Sequence, residues 1–393
     1  MFFKLSNSTD SNYPNNYQLP NSTFFNCDLG WEQSKHNGYT IFFKGYVLED
    51  ISQQELLENI TIDPTPKYKG NFFAVVCDES FTVITHSINR CSPLQYNQNK
   101  CVTNLQKDLT PVWADTYLQI NDQLAVNKTN FKPYTATYKT IDYNFGLDQL
   151  NNILCNAFES FLTKNTRPLK VFLSGGVDTL TLYSYLKSFT KNFEIVDSEY
   201  VKYTHFYLKN KGIIKSHWGY KQMHSWGEIP TVLPTGGCGD EYLLRGPTTL
   251  AAIAQHYKID VLELIKQNPN CYHHKYYLKD KNIKCFDRVD IDTSDKKTVV
   301  DWILNNLVND HQHWHIDNTL FFSPFANISI PNIILNMPKE NLQDQILDAQ
   351  INKDLITMIN PDDLKLLAKY KNTNSAADPN YISLMVPESN CTW

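Results

Sequence analysis

Long apolar runs are missing from this sequence. No stretch of about eighteen or more apolar residues occurs, which excludes an ordinary membrane-spanning helix. The opening MFFKLSNSTDSN lacks the basic segment and following apolar stretch of a secretory signal, so a cytoplasmic location is expected. With that expectation the Asn-x-Ser/Thr triplets carry no glycosylation argument. Paired cysteine spacing is absent as well. The nine cysteines, at 27, 77, 91, 101, 155, 238, 271, 285 and 391, include no CxxC, which predicts reduced thiols and names no zinc site. Positive charge is scarce: 36 Lys and Arg stand against 41 Asp and Glu. The formal charge of -5 supplies no global field for nucleic acid or an anionic membrane. There is also no internal repeat. What remains, 42% hydrophobic and 20% charged, is the composition of a folded soluble chain. Its 393 residues exceed one ordinary core and predict two.

Residues 1–35 are rich in Asn, Ser, Pro and Tyr and read as loop, with one short strand at 1–5. The runs YTIFFKGYV (39–47), NFFAVVCD (71–78) and FTVITHS (81–87) read as strands, and ISQQELLENI (51–60) as a helix. Glu79-Ser80 marks a tight antiparallel connection, and Gly70 can take a positive φ. A sheet-rich first domain is expected. The polar and aromatic text of 124–143 places a boundary near residue 140. Beyond it the pattern becomes α/β. Leu150, Ile153, Leu154, Phe158 and Leu162 form a helical stripe within 147–162, and 169–173 is a compact apolar strand. A helix at 179–189 and strands at 193–196 and 231–233 follow. Helices are then expected at 248–256, 261–265, 299–308 and 362–368.

The first strand of that second part runs into Leu173-Ser174-Gly175-Gly176-Val177-Asp178-Thr179. Its glycines let successive amides approach phosphate oxygens, and the following helix aims its N-terminal N–H groups at the same charge. Ser174 and Thr179 supply hydroxyl donors, and Asp178 is a candidate ligand for Mg2+ against pyrophosphate. The Gly-Lys-Ser/Thr ending of a γ-phosphate-transferring P-loop is absent. The chemistry expected is therefore adenylation by ATP with release of pyrophosphate. A second cluster, Thr235-Gly236-Gly237-Cys238-Gly239-Asp240-Glu241, also follows a strand, and Asp240 is the candidate second carboxylate on the metal. Cys238 has no histidine visibly beside it and reads as packing, not as a nucleophile. His311, His313 and His315 could share one strand face around zinc, yet no spacing completes a site and packing or substrate contact is the preferred reading. The segment 271–284 mixes aromatics with lysines, which suits either a solvated linker or a nucleic-acid surface.

These motifs resemble the asparagine synthetase superfamily, whose second domain carries an SGG-hydrophobic-D-S/T loop followed by an SGxGSDE-like loop. Ser174 to Thr179 meets the first closely, and Thr235 to Glu241 the second more loosely, with Cys238 and Gly239 in place of Gly and Ser. Ser323-Pro324-Phe325-Ala326-Asn327 is similar to the family's PFLD segment, and Met337-Pro338 follows it. KGNFFAVVCD is similar to its G-x-F-A-x-x-x-x-D segment, with Phe73 in the place of Ala, and Asn89 to Tyr96 is similar to DRxGxxPLYY. The resemblance implies an α+β Ntn-hydrolase-like sandwich over 1–140, a degenerate class II glutamine amidotransferase. It implies an α/β adenine nucleotide alpha hydrolase-like (PP-loop) domain over 141–393. ATP and Mg2+ would be the cofactors, bound by Leu173, Ser174, Gly175, Gly176, Val177, Asp178, Thr179, Gly236 and Gly237, with Asp178 and Asp240 on the metal. Lys371, or Lys369 in its stead, falls where the family has its late catalytic lysine.

The departures matter as much. Glutamine-using members have an N-terminal cysteine nucleophile, whereas this sequence begins Met1-Phe2-Phe3 and has none before Cys27, so glutaminase activity is not expected. Processing to Cys27 would restore a nucleophile but delete the first strand. Gly237 stands where glutamine-dependent asparagine formation uses a glutamate, which argues against asparagine as product. The chain is closer in character to the β-lactam synthetase and lasso-peptide cyclase type, which pass an acyl-adenylate to an internal amine. Small-molecule or peptide carboxylates and amines are the expected partners. Two alternatives stay open: a nucleobase- or tRNA-modifying enzyme, and a nonenzymatic nucleotide-binding or scaffold protein.

Overall fold

The computed structural model describes residues 3–11, 13–88, 94–103, 109–112, 116–130, 139–172, 176–196, 231–234, 236, 239–245, 258–269 and 319–366. Two six-stranded antiparallel sheets occupy the first part. One contains β1 (Phe3–Ser6), β2 (Asn15–Gln18) and β3 (Phe24–Cys27), joined by β8 (Gln95–Asn97), β9 (Cys101–Thr103) and β10 (Thr110–Pro111), in the order β10-β8-β9-β1-β3-β2. The other contains β4 (Glu32–His36), β5 (Tyr39–Val47), β6 (Gly70–Cys77), β7 (Phe81–His86), β11 (Thr116–Asn121) and β12 (Val126–Asn130), in the order β12-β11-β7-β6-β5-β4.

The sheets face each other across an aromatic core. Phe3 and Phe25 from the first meet Phe42 and Phe73 from the second. The strands β5 and β6 are apolar on both faces because the second sheet is covered twice: the outer residues Phe43 and Phe72 pack beneath α1 (Gln53–Ile62) with Leu56, Leu57 and Ile60. Ser52 caps that helix, accepting from the Glu55 amide at 3.2 Å. The expected sandwich is thus present with one flanking helix among the described residues. The short strand expected at 1–5 is found as β1, but the expectation of loop over the rest of 1–35 is overturned: β2, β3 and most of β4 lie there as well. Two of them, β2 and β4, are sheet edges with half-exposed polar residues, so they lack the apolar alternation that reveals a strand. Gly45 and Gly70 take φ of +136° and +134°, and a Cβ on Gly45 would lie 2.1 Å from the Asn71 carbonyl oxygen. Glycine is therefore required at both positions, where β5 and β6 pair with Gly45 opposite Phe72 and Gly70 opposite Val47.

The second part begins with α2 (Tyr143–Lys164), capped by Asp142, whose side chain accepts from the amides of Asn144 and Phe145. The strands that follow are parallel. β13 (Lys170–Phe172) pairs with β14 (Glu194–Val196), and β15 (Thr231–Pro234) with β16 (Thr319–Phe322). A parallel bridge from Leu169 to Val232 joins the two pairs, so the strand order is β14-β13-β15-β16. Around them lie α3 (Val177–Phe189), α4 (Gly239–Tyr242), α5 (Val261–Gln267), α6 (Ser329–Ile334), α7 (Lys339–Asp348) and α8 (Gln350–Ile359). A helix was expected at 362–368; a 3-10 turn over Pro361–Leu366 is found instead. The helices expected at 248–256 and 299–308 lie outside the described residues. Among the described residues no helix is long and apolar enough to cross a membrane.

The two parts meet on aromatic rings. Tyr46 near the end of β5 stands edge-on to Phe161 of α2 and to Phe322 of β16, at 5.0 and 5.6 Å between centroids. Phe161 and Phe322 stack on each other at 4.0 Å. Lys164 also donates to the Glu49 carbonyl.

Candidate functional site

In the parallel layer the chain leaves β13 through α3 to reach β14 on one side, while β15 lies against the other side of β13. Connections that depart in opposite directions open a crevice at the carboxyl ends of the two strands, the usual ligand position in an open α/β sheet. Both glycine-rich segments are the sequences that follow these strands: 173–176 leaves β13 and 235–239 leaves β15.

The described residues of the two segments are in backbone contact. A Cβ on Gly236 would lie 2.7 Å from the Thr179 nitrogen and 2.9 Å from the Asp178 carbonyl carbon. A Cβ on Gly239 would lie 2.7 Å from Cβ and Cγ of Asp178. These glycines serve close approach and not unusual φ, since neither shows a positive value. Gly236 accepts from the Gly239 amide at 3.0 Å, which folds the second segment into the start of α4. On the other side, Gly176 is the N-cap of α3, in extended conformation and without a side-chain cap. A helix start carries partial positive charge that suits an anion. Val177 and Thr179 are buried, and Thr181 fastens the first turn by donating to the Val177 carbonyl at 2.9 Å.

Asp178 stands at the junction, and its carboxylate is committed within the protein. Arg245 Nη2 donates to Oδ2 at 2.8 Å, and Asn352 Nδ2 donates to Oδ1 at 2.9 Å. The two side chains of the ion pair are 3% and 13% exposed. Arg245 reaches this position because Leu244, just after α4, adopts a left-handed φ of +60° and turns the chain back. Asn352 also donates to Thr181 Oγ1 at 3.1 Å, and its Oδ1 accepts from Gln345 Nε2 at 3.0 Å. Gln345 in turn donates to the Leu243 carbonyl and accepts from the Ile351 amide, closing a buried ring between α7, α8 and the end of α4.

Sequence reading found Gly176, Val177, Asp178, Thr179 and Gly236, all of which lie at this junction. It missed Arg245, Asn352 and Gln345. The signal for Asn352 was legible: it is a lone amide on the buried stripe Ile351, Leu355 and Ile356 of α8. Leu173, Ser174, Gly175, Gly237, the side chain of Asp240, Lys369 and Lys371 lie outside the described residues, as do the three histidines at 311–315. Magnesium fits Asp178 poorly as folded. Both its oxygens accept hydrogen bonds, one of them from a cation, and Gly239 lies so near that a Cβ there would be 2.9 Å from Oδ1.

Cys27, the alternative nucleophile, is fully buried on β3. Burial and then the Asp28 carboxylate push its thiol well above the usual range, with Lys44 opposing them. Its residue pairs with Phe3 of β1 and Asn15 of β2, so cleavage before it would strip both neighbouring strands from its sheet. Alkylation of the native protein at pH 8 followed by peptide mass spectrometry should leave Cys27 unmodified, and urea should expose it. Rapid native labelling would show a thiolate and reopen the question of a nucleophile.

No protein-family model matches the chain, and no curated protein matches it. Among solved structures it is similar to glutamine phosphoribosylpyrophosphate (PRPP) amidotransferase from B. subtilis, complexed with ADP and GMP. That match has 11% identity and a TM-score of 0.22, and covers 59% of this chain and 63% of the other. A structure of the allosteric regulatory enzyme of purine biosynthesis is similar at 11% identity and a TM-score of 0.21, covering 53% of this chain and 56% of the other. The chain therefore matches less than two thirds of the length of either neighbour.

Proposed function

We propose that the chain is an AMP-forming carbon–nitrogen ligase: it adenylates a substrate carboxylate with ATP, releases pyrophosphate and passes the acyl group to an amine. The observation that carries this reading is the backbone contact between Gly236 and Asp178–Thr179 at the carboxyl ends of β13 and β15. Two glycine-rich segments distant in sequence thereby meet, through their described residues, at the start of a helix whose N-cap carries no side-chain hydrogen bond. A cradle of amides beside a helix start suits the pyrophosphoryl part of ATP. It would hold the departing group while the carboxylate attacks the α-phosphorus, so that positioning and fixed dipoles supply most of the acceleration.

In the same reading the sequence resemblance to asparagine synthetase-like enzymes assigns the second domain to the PP-loop type. The sandwich is then an amidotransferase-like shell that has lost its thiol chemistry, in keeping with the buried Cys27. Lys371, or Lys369, is the assigned cation for the adenylation transition state. Incubation with ATP and a panel of carboxylates and amines should give AMP and pyrophosphate in equal amounts, dependent on the carboxylate. An active preparation that released ADP and phosphate would overturn the mechanism.

A further inference from the structure

The geometry points to Asp178 being the neutralised counter-ion of Arg245, clamped by Asn352, and not a magnesium ligand; Arg245 is then a positioning residue that keeps the positive end of α3 available to phosphate. This rests on the reading of the crevice as a polyphosphate site. Asp178 is the second residue of α3, inside the first turn, where a phosphate bound at the helix start would lie close by. An uncompensated carboxylate there would offset the helix-end charge and repel the ligand. The Arg245 guanidinium, 2.8 Å from Oδ2 and 3% exposed, compensates that charge from within the protein.

The surroundings fix this arrangement. Leu244 accepts a left-handed backbone to deliver Arg245, a cost that the ion pair explains. Asn352 holds the other carboxylate oxygen and ties it through Thr181 to α3 and through Gln345 to the end of α4. Gly239 lies on the Asp178 side chain, so the same clamp seats the second glycine segment against the first. The ion pair thus couples charge neutralisation to loop position, and both depend on a residue that lies beyond either glycine motif.

The test is calorimetric titration of the full-length protein with inorganic pyrophosphate, in EDTA and again with magnesium, with circular dichroism to confirm folding. Arg245→Met should weaken pyrophosphate binding on the order of 10- to 100-fold in EDTA, the effect of one unpaired charge a few ångströms away. Asp178→Asn should bind at least as tightly as the wild type and keep the wild-type gain from magnesium. The double variant Asp178→Asn with Arg245→Met should recover most of what Arg245→Met lost. If Arg245→Met does not fold, Arg245→Gln with and without Asp178→Asn gives the same comparison. The inference is overturned if Asp178→Asn abolishes the magnesium gain, or if the double variant binds no better than Arg245→Met. A wild type that binds neither pyrophosphate nor ATP would defeat the polyphosphate reading itself and the inference with it.

Discussion

Replacing Gly236 with alanine is expected to lower ATP affinity by about 10²-fold while the protein stays folded. The added methyl would meet the Thr179 nitrogen at 2.7 Å and the Thr179 Cα at 3.0 Å. These are backbone atoms in the first turn of α3, so no side-chain rotation relieves the contact and the two segments must separate. Separation moves the amides of one segment away from those of the other, and a displacement near 1 Å is enough to spoil a multidentate anion site. The stability cost of overpacking is smaller, about 1–3 kcal/mol, because only the loop has to shift. Titration with ATP and thermal unfolding of the same sample separate the two effects. Wild-type affinity in a folded Gly236→Ala protein would show that the two glycine segments do not form one binding site.

Phe322→Ala should produce the larger loss of stability, about 3–5 kcal/mol. Phe322 is fully buried and stacked at 4.0 Å on Phe161, with Phe158 edge-on at 5.3 Å and Tyr46 edge-on at 5.6 Å. Truncation would leave a cavity walled by rigid rings that cannot collapse, at the place where the sandwich meets the parallel layer. A loss of this size is a large share of the roughly 5–15 kcal/mol that holds an ordinary domain together. By the same geometry a fragment of residues 140–393 is expected to be poorly soluble or less stable, since removing Tyr46 and Leu48 uncovers the apolar cluster they pack against. Urea unfolding of Phe322→Ala is the check; a midpoint within a few per cent of the wild type would place the joint elsewhere.

Much of the fold was legible because burial leaves a pattern. The stripe on α2, the apolar run of β6 and the alternation of strand, glycine segment and helix around β13 all follow from one-sided or two-sided burial. The illegible parts are those where burial is weak or chemistry is local. Edge strands β2 and β4 have no fully buried residue, so Asn15–Gln18 and Glu32–His36 read as loop. β16 is four residues long and gains its meaning only beside β15. At the site, the glycine segments announced themselves by composition. Arg245 did not, because what brings it to Asp178 is a single left-handed residue after a one-turn helix, and no periodicity encodes that.

In the proposed function, the polyphosphate of ATP binds at the carboxyl ends of β13 and β15 through both glycine segments. The most direct measurement is a crystal structure of the full chain with α,β-methylene-ATP. The α- and β-phosphates are expected at the start of α3, within hydrogen-bond reach of backbone amides from Gly176 to Thr179, with Gly236 on the facing side. A triphosphate bound away from both segments, or lying across the antiparallel sandwich instead, would contradict it.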